Sequence, residues 1–145
     1  IEMFEAVGEK YWPIYFNSLK NLMKNGAKST LQIITIADEI FPEYRKRVDF
    51  IQKYIFPGGM LPSKKALEKQ FLQVGLKSIN LKSFGSSYSK TLRLWHSSFN
   101  SVWDDIASVK FDDRFKRMWN FYLASCAAVF YSKTGDVIQV TLKKS

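Results

Sequence analysis

The sequence predicts a layered α/β fold, and three observations predict it. Helical stripes alternate with short apolar runs along the chain, as helix-and-sheet layering requires. The run Leu31-Gln32-Ile33-Ile34-Thr35-Ile36 is short, β-branched and nearly continuous in apolar character, which is the pattern of a strand buried on both faces in a parallel sheet. A second such run, Asp136-Val137-Ile138-Gln139-Val140-Thr141-Leu142, is the terminal strand. It is expected beside the others, with an antiparallel placement at or near an edge open to it.

The elements follow in order. Residues 11–24 read as a helix with Tyr11, Tyr15, Leu19 and Leu22 on its apolar side, stopped by Asn25-Gly26. After the 31–36 strand, Pro42 fits the first turn of a second helix, whose stripe is Tyr44, Val48, Ile51 and Ile55. Pro57-Gly58-Gly59 ends it. Ser63 is an N-cap for a third helix, marked by Leu67, Phe71 and Val74 and closed by Gly75. Residues 76–84 alternate loosely and read as another strand. A fourth helix follows Tyr88 with Leu92, Trp95, Phe99, Val102 and Ile106. A fifth runs from about Asp112 to Tyr131 on Phe115, Trp119, Tyr122, Cys126 and Val129. No repeat or linker divides the chain. Two or three strands make a poor sheet, so further strands are expected ahead of Ile1.

Composition narrows the function. With 46% hydrophobic and 16% aromatic residues in 145, the chain can bury a sizeable core. The aromatic share suits a bulky core and, alternatively, a pocket for a long apolar ligand. The formal charge of +9 implies attraction to something anionic. The cations are dispersed, and no Arg-rich arm or zinc-finger spacing supports nucleic-acid reading. One cysteine, Cys126, and one histidine, His96, allow no internal disulfide, which fits a reducing cytoplasm, and leave almost no means of building a His/Cys metal site. No apolar run is long enough to span a bilayer, and no signal peptide is visible.

The glycines form no GxGxxG, GxxxxGK or GxSxG run, so neither a nucleotide-cradling loop nor a nucleophile elbow is present. His96 follows Trp95 on a predicted helix and reads as a surface or helix-edge residue, which weakens any hydrolase reading. Glu5 lies between apolar Phe4 and Val7, ahead of the first helix. A carboxylate there either is buried on backbone amides as support, or orients a small ligand or proton acceptor; sequence does not choose. Tyr88 follows Phe84-Gly85-Ser86-Ser87 at a helix start. Its hydroxyl can donate to an anion, though spacing favours simple packing.

Four separated segments together resemble a known family. They are Ile1-Glu2-Met3-Phe4-Glu5-Ala6-Val7-Gly8, the run 53–63 containing Tyr54-Ile55-Phe56-Pro57-Gly58-Gly59-Met60-Leu61-Pro62-Ser63, the run 84–95 containing Tyr88-Ser89-Lys90-Thr91-Leu92, and the run 114–126. In this order and spacing the chain resembles the cyclopropane-fatty-acyl-phospholipid synthases and the related mycolic acid cyclopropane synthases, from Ile1 to Lys144.

The resemblance implies the C-terminal portion of a Rossmann-like, S-adenosylmethionine-dependent methyltransferase domain, with an incomplete sheet and an added helical lipid-pocket region. Residues 1–145 are then expected to be the later part of one domain whose cofactor-binding half lies upstream, and the piece alone is expected to be inactive. The implied reaction transfers the cofactor's methyl group to a cis double bond of a phospholipid acyl chain, with bicarbonate removing a proton as a cyclopropane ring closes. A cationic intermediate of that kind needs a dry, apolar pocket and a nearby anion.

Carried over by position, Glu5, Tyr88 and Ile36 belong to the bicarbonate site. Ile1 lines the adenosylmethionine pocket. Phe56, Leu92, Tyr122 and Cys126 line the acyl pocket, Cys126 as a small apolar wall rather than a nucleophile. One departure stands out: Ile34 occupies the position where many members carry a bicarbonate-binding histidine. Gln32 is expected on the same face of a regular strand and is the candidate replacement. A methyl-branched product, or a small soluble acceptor, therefore stays open beside ring closure. A non-enzymatic basic membrane-binding module ranks last. The expected partner is unsaturated phospholipid at the inner membrane face, with the protein cytoplasmic and peripheral, no nucleic acid, no metal, and a homodimer covering the exposed sheet edge.

Overall fold

The computed structural model describes residues 1–107 and 111–144 and divides into two compact units. The first runs Ile1–Phe84 and resumes at Gly135; the second is Gly85–Thr134.

In the first unit, two single 3-10 turns, Phe4–Ala6 and Glu9–Tyr11, lead into α1 (Trp12–Leu22). Then come β1 (Lys28–Ile36), α2 (Phe41–Tyr44), α3 (Phe50–Tyr54), α4 (Lys64–Gln73) and β2 (Leu76–Ser83), and β3 (Gly135–Lys144) ends the described chain. The sheet order is β1-β3-β2, with β3 antiparallel to both neighbours, so β1 and β2 run the same way. The register sets Ile33 opposite Ile138 and Leu31 opposite Val140. Opposed residues share a face, and this face joins Leu76, Leu142 and the α1 and α4 residues Phe16, Leu67 and Phe71 in one core. Phe4 sits inside it, its ring 5.3, 5.1 and 5.1 Å from those of Trp12, Tyr15 and Phe16. Each of these apolar side chains stabilises the fold by about 1.5–3 kcal/mol through burial.

Several sequence expectations change. β1 is not the parallel strand that its apolar run suggests; its pairing is with the antiparallel β3, and its deepest residues are Ile33 and Thr35. The terminal strand lies beside the others and antiparallel to them, as expected, but between the two rather than at an edge. The loose alternation of 76–84 has a cause: the register with β3 shifts between Ser78 and Asn80, so Ile79 is an inserted bulge residue. The single helix expected after Pro42 is two, because Asp49 is an N-cap with extended backbone. Its carboxylate accepts the Gln52 N–H at 2.8 Å while the Gln52 side chain accepts the Asp49 N–H at 3.0 Å, a capping box that starts a new helix. On α1 the buried pair is Trp12 and Phe16, one residue on from the expected stripe, because that pair meets Phe4; Tyr11 and Leu22 stay exposed. The α4 expectation holds: the Ser63 hydroxyl accepts the Ala66 N–H at 3.2 Å, and Gly75 adopts φ +70° past the end.

The second unit contains α5 (Gly85–Ser101), α6 (Trp103–Ala107) and α7 (Asp113–Tyr131). The fourth helix stops at Ser101 rather than running through Ile106, and the break lets Trp103 bury its ring 5.4 Å from Phe99. Asp112 caps α7 by accepting the Phe115 N–H at 2.8 Å. Small residues let α5 and α7 approach closely: Ser89 and Ala127 are buried, and the Ser89 hydroxyl donates to the Ala127 carbonyl at 2.9 Å. Asn100 and Asn120 exchange amide hydrogen bonds at 2.6 and 3.2 Å. The predicted α7 stripe forms an aromatic ladder, with Phe115 5.7 Å from Trp119 and Trp119 5.0 Å from Tyr122. The deepest α7 residues are Leu123, Ala127 and Phe130, however, because they face α5 at its small side chains.

Candidate functional site

The outer edge of β1 organises the candidate site of the first unit. Gln32 accepts the Glu2 N–H at 2.9 Å, the Ile34 N–H donates to Glu5 Oε1 at 2.5 Å, and the Ile36 N–H donates to the Pro62 carbonyl at 3.0 Å. The outer edge of β1 is engaged within the chain at these three points. Glu5 reaches it because Phe4, buried beside it, anchors the 3-10 turn. The position lies toward the carboxyl end of β1, where open α/β sheets bind ligands.

Glu5 has two unlike oxygens. Oε1 is bonded to Ile34, while Oε2 is buried without a hydrogen-bond partner among the described residues. Burial pushes the carboxyl above its ordinary range, against the pull of the Ile34 N–H, and the nearby Glu2 charge adds to the rise. Burial, then the Glu5 charge, also push the Tyr15 hydroxyl up. A carboxyl in this state can hold a proton and donate it in a hydrogen bond to an anion.

The Pro-Gly-Gly segment closes over the same residue. The Met60 N–H donates to the Glu5 carbonyl at 2.8 Å, and the Gly59 N–H donates to the Phe56 carbonyl at 3.0 Å. A Cβ on Gly59 would sit 3.1 Å from the Phe56 carbonyl oxygen and 3.6 Å from that of Glu5, which is why glycine stands there. The Gln52 amide holds the Gly59 carbonyl at 2.9 Å, and the Tyr44 hydroxyl accepts the Leu61 N–H at 3.3 Å.

Sequence reasoning missed a polar network on the second sheet face. The Gln32 amide donates to Glu2 Oε1 at 2.7 Å and accepts from the Gln139 amide at 2.9 Å. Gln32 does share a face with Ile34, but both ends of its amide are engaged by these neighbours. Glu2 adopts φ +50°, uncommon for a non-glycine residue, and its bonds to Gln32 hold it there. The available signal was the Glu2/Glu5 pair, three residues apart among apolar neighbours.

The residues assigned by resemblance divide between the units. In the first, Glu5 and Ile36 share the β1 edge, Ile1 is 94% exposed, and Phe56, 59% exposed, flanks the Gly59 turn. In the second, Tyr88 packs its ring 5.2 Å from Phe130, Leu92 is buried, and Tyr122 and Cys126 are half-buried one turn apart on α7. Among the described residues no three His, Cys, Asp or Glu side chains are placed to hold a metal ion, and no helix is long and apolar enough to cross a membrane.

The α/β layering with its three-stranded sheet is consistent with part of a Rossmann-like methyltransferase domain. The chain superposes on mycolic acid cyclopropane synthase CmaA1, solved in complex with SAH and CTAB, with a TM-score of 0.88 at 26% identity, covering 99% of this chain and 53% of that one. It also matches the fold of a sarcosine dimethylglycine methyltransferase-like protein from Galdieria sulphuraria with a TM-score of 0.79 at 12% identity, over 99% and 50% of the two chains.

Residues 1–140 match the mycolic acid cyclopropane synthetase family, and the chain belongs to it. It is 41% identical over 143 residues to the tuberculostearic acid methyltransferase UfaA1 of Mycobacterium tuberculosis, covering 98% of this chain and 34% of that protein. It is 33% identical over 146 residues to the cyclopropane-fatty-acyl-phospholipid synthase of Escherichia coli, covering 99% and 36%. The chain thus spans about a third of the length of these curated relatives.

Proposed function

We propose that this chain serves an S-adenosylmethionine-dependent transfer of a methyl or methylene group to the cis double bond of an unsaturated acyl chain, drawn from phospholipid at a membrane surface. The observation that carries the reading is Glu5, held by Ile34 at the carboxyl end of β1 with its second oxygen buried and unpartnered. That orphaned oxygen fits a small polar guest such as bicarbonate. A protonated Glu5 would donate to the anion, and Ile36 would border it from the same strand edge. Bicarbonate, when bound, supplies the base for the proton lost in ring closure. For the cofactor, which supplies the methyl group, this chain offers the exposed Ile1 side chain, next to the Glu2–Gln32 link. Within the second unit, the half-buried Tyr122 and Cys126 offer apolar surface of the kind that excludes water from a cationic intermediate, and within the first the exposed Phe56 does the same.

A second reading, a methyl-branched product, is favoured by one observation. Ile34 provides no polar side chain, and Gln32 is engaged by Glu2 and Gln139. The similarity to a relative named as a methyltransferase of tuberculostearic acid supports it further.

The test is incubation of the full-length gene product with methyl-labelled S-adenosylmethionine and vesicles of unsaturated phospholipid. Label in the acyl chains, lost on Glu5→Ala, is expected; acyl chains free of label overturn the proposal. The mass of the labelled chain separates ring from branch.

A further inference from the structure

α5 and α7 flank an open groove of about 330 Å³ on one side of their contact. Arg93 and His96 line it from α5, and Ala124, Ala127 and Ala128 from α7. Of its two hydroxyls, that of Ser89 is already donated to the Ala127 carbonyl at 2.9 Å and that of Tyr131 belongs to a ring exposed at the rim, so the interior asks for an apolar guest. The volume lies at the low end for ligand sites, enough for one chain and not two.

The rim is positively charged and uncompensated. The Arg93 guanidinium lies 5.5 Å over the Tyr131 ring, which is 74% exposed and borders the groove. No carboxylate lines the groove among the described residues. The sequence carries no Asp or Glu between 85 and 103 or between 114 and 134; the acids of this unit are Asp104, Asp105, Asp112 and Asp113. The body of the hairpin therefore offers cations alone to whatever reaches the groove.

On α7 the wall of this groove is not the side assigned to the acyl chain, whereas on α5 Ser89 and His96 lie three residues before and four after Leu92, on its face. Ala124 and Ala128 each lie two residues beyond Tyr122 and Cys126, about 200° around the helix. Arg93 likewise sits about 100° from Leu92.

We propose that this groove binds a single-chain fatty-acid carboxylate, its alkyl chain along the Ala124–Ala128 wall and its head on the Arg93 guanidinium. A guanidinium and a carboxylate form paired, charge-assisted hydrogen bonds, and stacking on Tyr131 pre-positions the donor. The site needs neither cofactor nor Glu5, so it stands or falls apart from the proposed reaction.

The experiment is calorimetric titration of the full-length gene product with myristate below its micellar concentration, with tetradecyltrimethylammonium as the cationic counterpart of equal length. Myristate has no double bond, which separates binding here from turnover. One myristate per chain is expected, with the cationic counterpart at least tenfold weaker. Arg93→Glu should weaken myristate tenfold or more, and Ala124→Trp should abolish its binding. Ala124 and Arg93 are exposed on helices, and circular dichroism verifies that both variants stay folded. Equal affinity for the cation, unaltered binding in Ala124→Trp, or loss only in Tyr122→Ala overturns the proposal. So does the absence of myristate binding by a chain that binds phosphatidylglycerol vesicles.

Discussion

The carboxylate of Glu5 occupies the edge of β1 where a neighbouring strand's carbonyl would stand, accepting the Ile34 N–H at 2.5 Å. One oxygen thus completes the sheet while the other, Oε2, is buried and unpartnered. Structural support, one of the alternatives that sequence left open, is the work of one oxygen, and the ligand contact proposed above would fall to the other.

Glu5→Gln keeps an acceptor for Ile34, and Glu5→Ala removes it. Leaving that amide without its partner costs about 1–3 kcal/mol. Chemical denaturation should therefore show Glu5→Ala destabilised and Glu5→Gln at least as stable as the parent at neutral pH. Equal destabilisation of the two variants would show that the hydrogen bond is not what matters.

Glu5 also sets a pH dependence. Its folded-state pKa is raised above 4.5, first by burial. A raised carboxyl contributes stability that is fully present below the unfolded value and is lost as pH rises through the folded one. The denaturation midpoint of Glu5→Gln should match that of the parent in acid and exceed it progressively toward neutrality. A constant offset across the range would contradict the assignment. Asp38 works in the opposite sense: despite burial, hydrogen bonds from Ser63 and the Lys65 N–H, aided by nearby lysines, hold its carboxyl low. Comparing parent with variant cancels that contribution.

Asn100 and Asn120 lock α5 to α7 through reciprocal amide bonds. A double-mutant cycle to alanine should give a coupling energy of about 1 kcal/mol. Strict additivity would mean that the pair contributes no mutual term.

Phe16 is fully buried and edge-on to Phe71 at 5.1 Å. Phe16→Ala should cost about 3–5 kcal/mol by transfer and cavity terms. Tyr11→Ala, at the exposed position of the stripe first expected on α1, should fall within about 0.5 kcal/mol of the parent. Similar losses for the two would reverse the register of the buried face.

Ile34→His places an imidazole beside the Glu5 contact. In the full-length gene product the labelled lipid should shift toward the ring-closed species, read by mass spectrometry. An unchanged product ratio would separate position 34 from the choice between ring and branch.

Sequence alone determined the order and type of most elements, though not the breaks at Asp49 and after Ser101, and which residues deserve attention. The Ser63 cap, the glycine stops and the periodic stripes are local, because capping and periodicity act within a few residues. The resemblance, too, was written in contiguous motifs. Only tertiary structure decided that β3 lies between β1 and β2, that Ile79 is a bulge, and that Trp12 rather than Tyr11 is buried. It alone brought Glu5 to Ile34, 29 residues away, and bound Gln32 to Glu2 and Gln139. Strand order, register and edge pairing are set by contacts between distant segments, and no short window of sequence contains both partners.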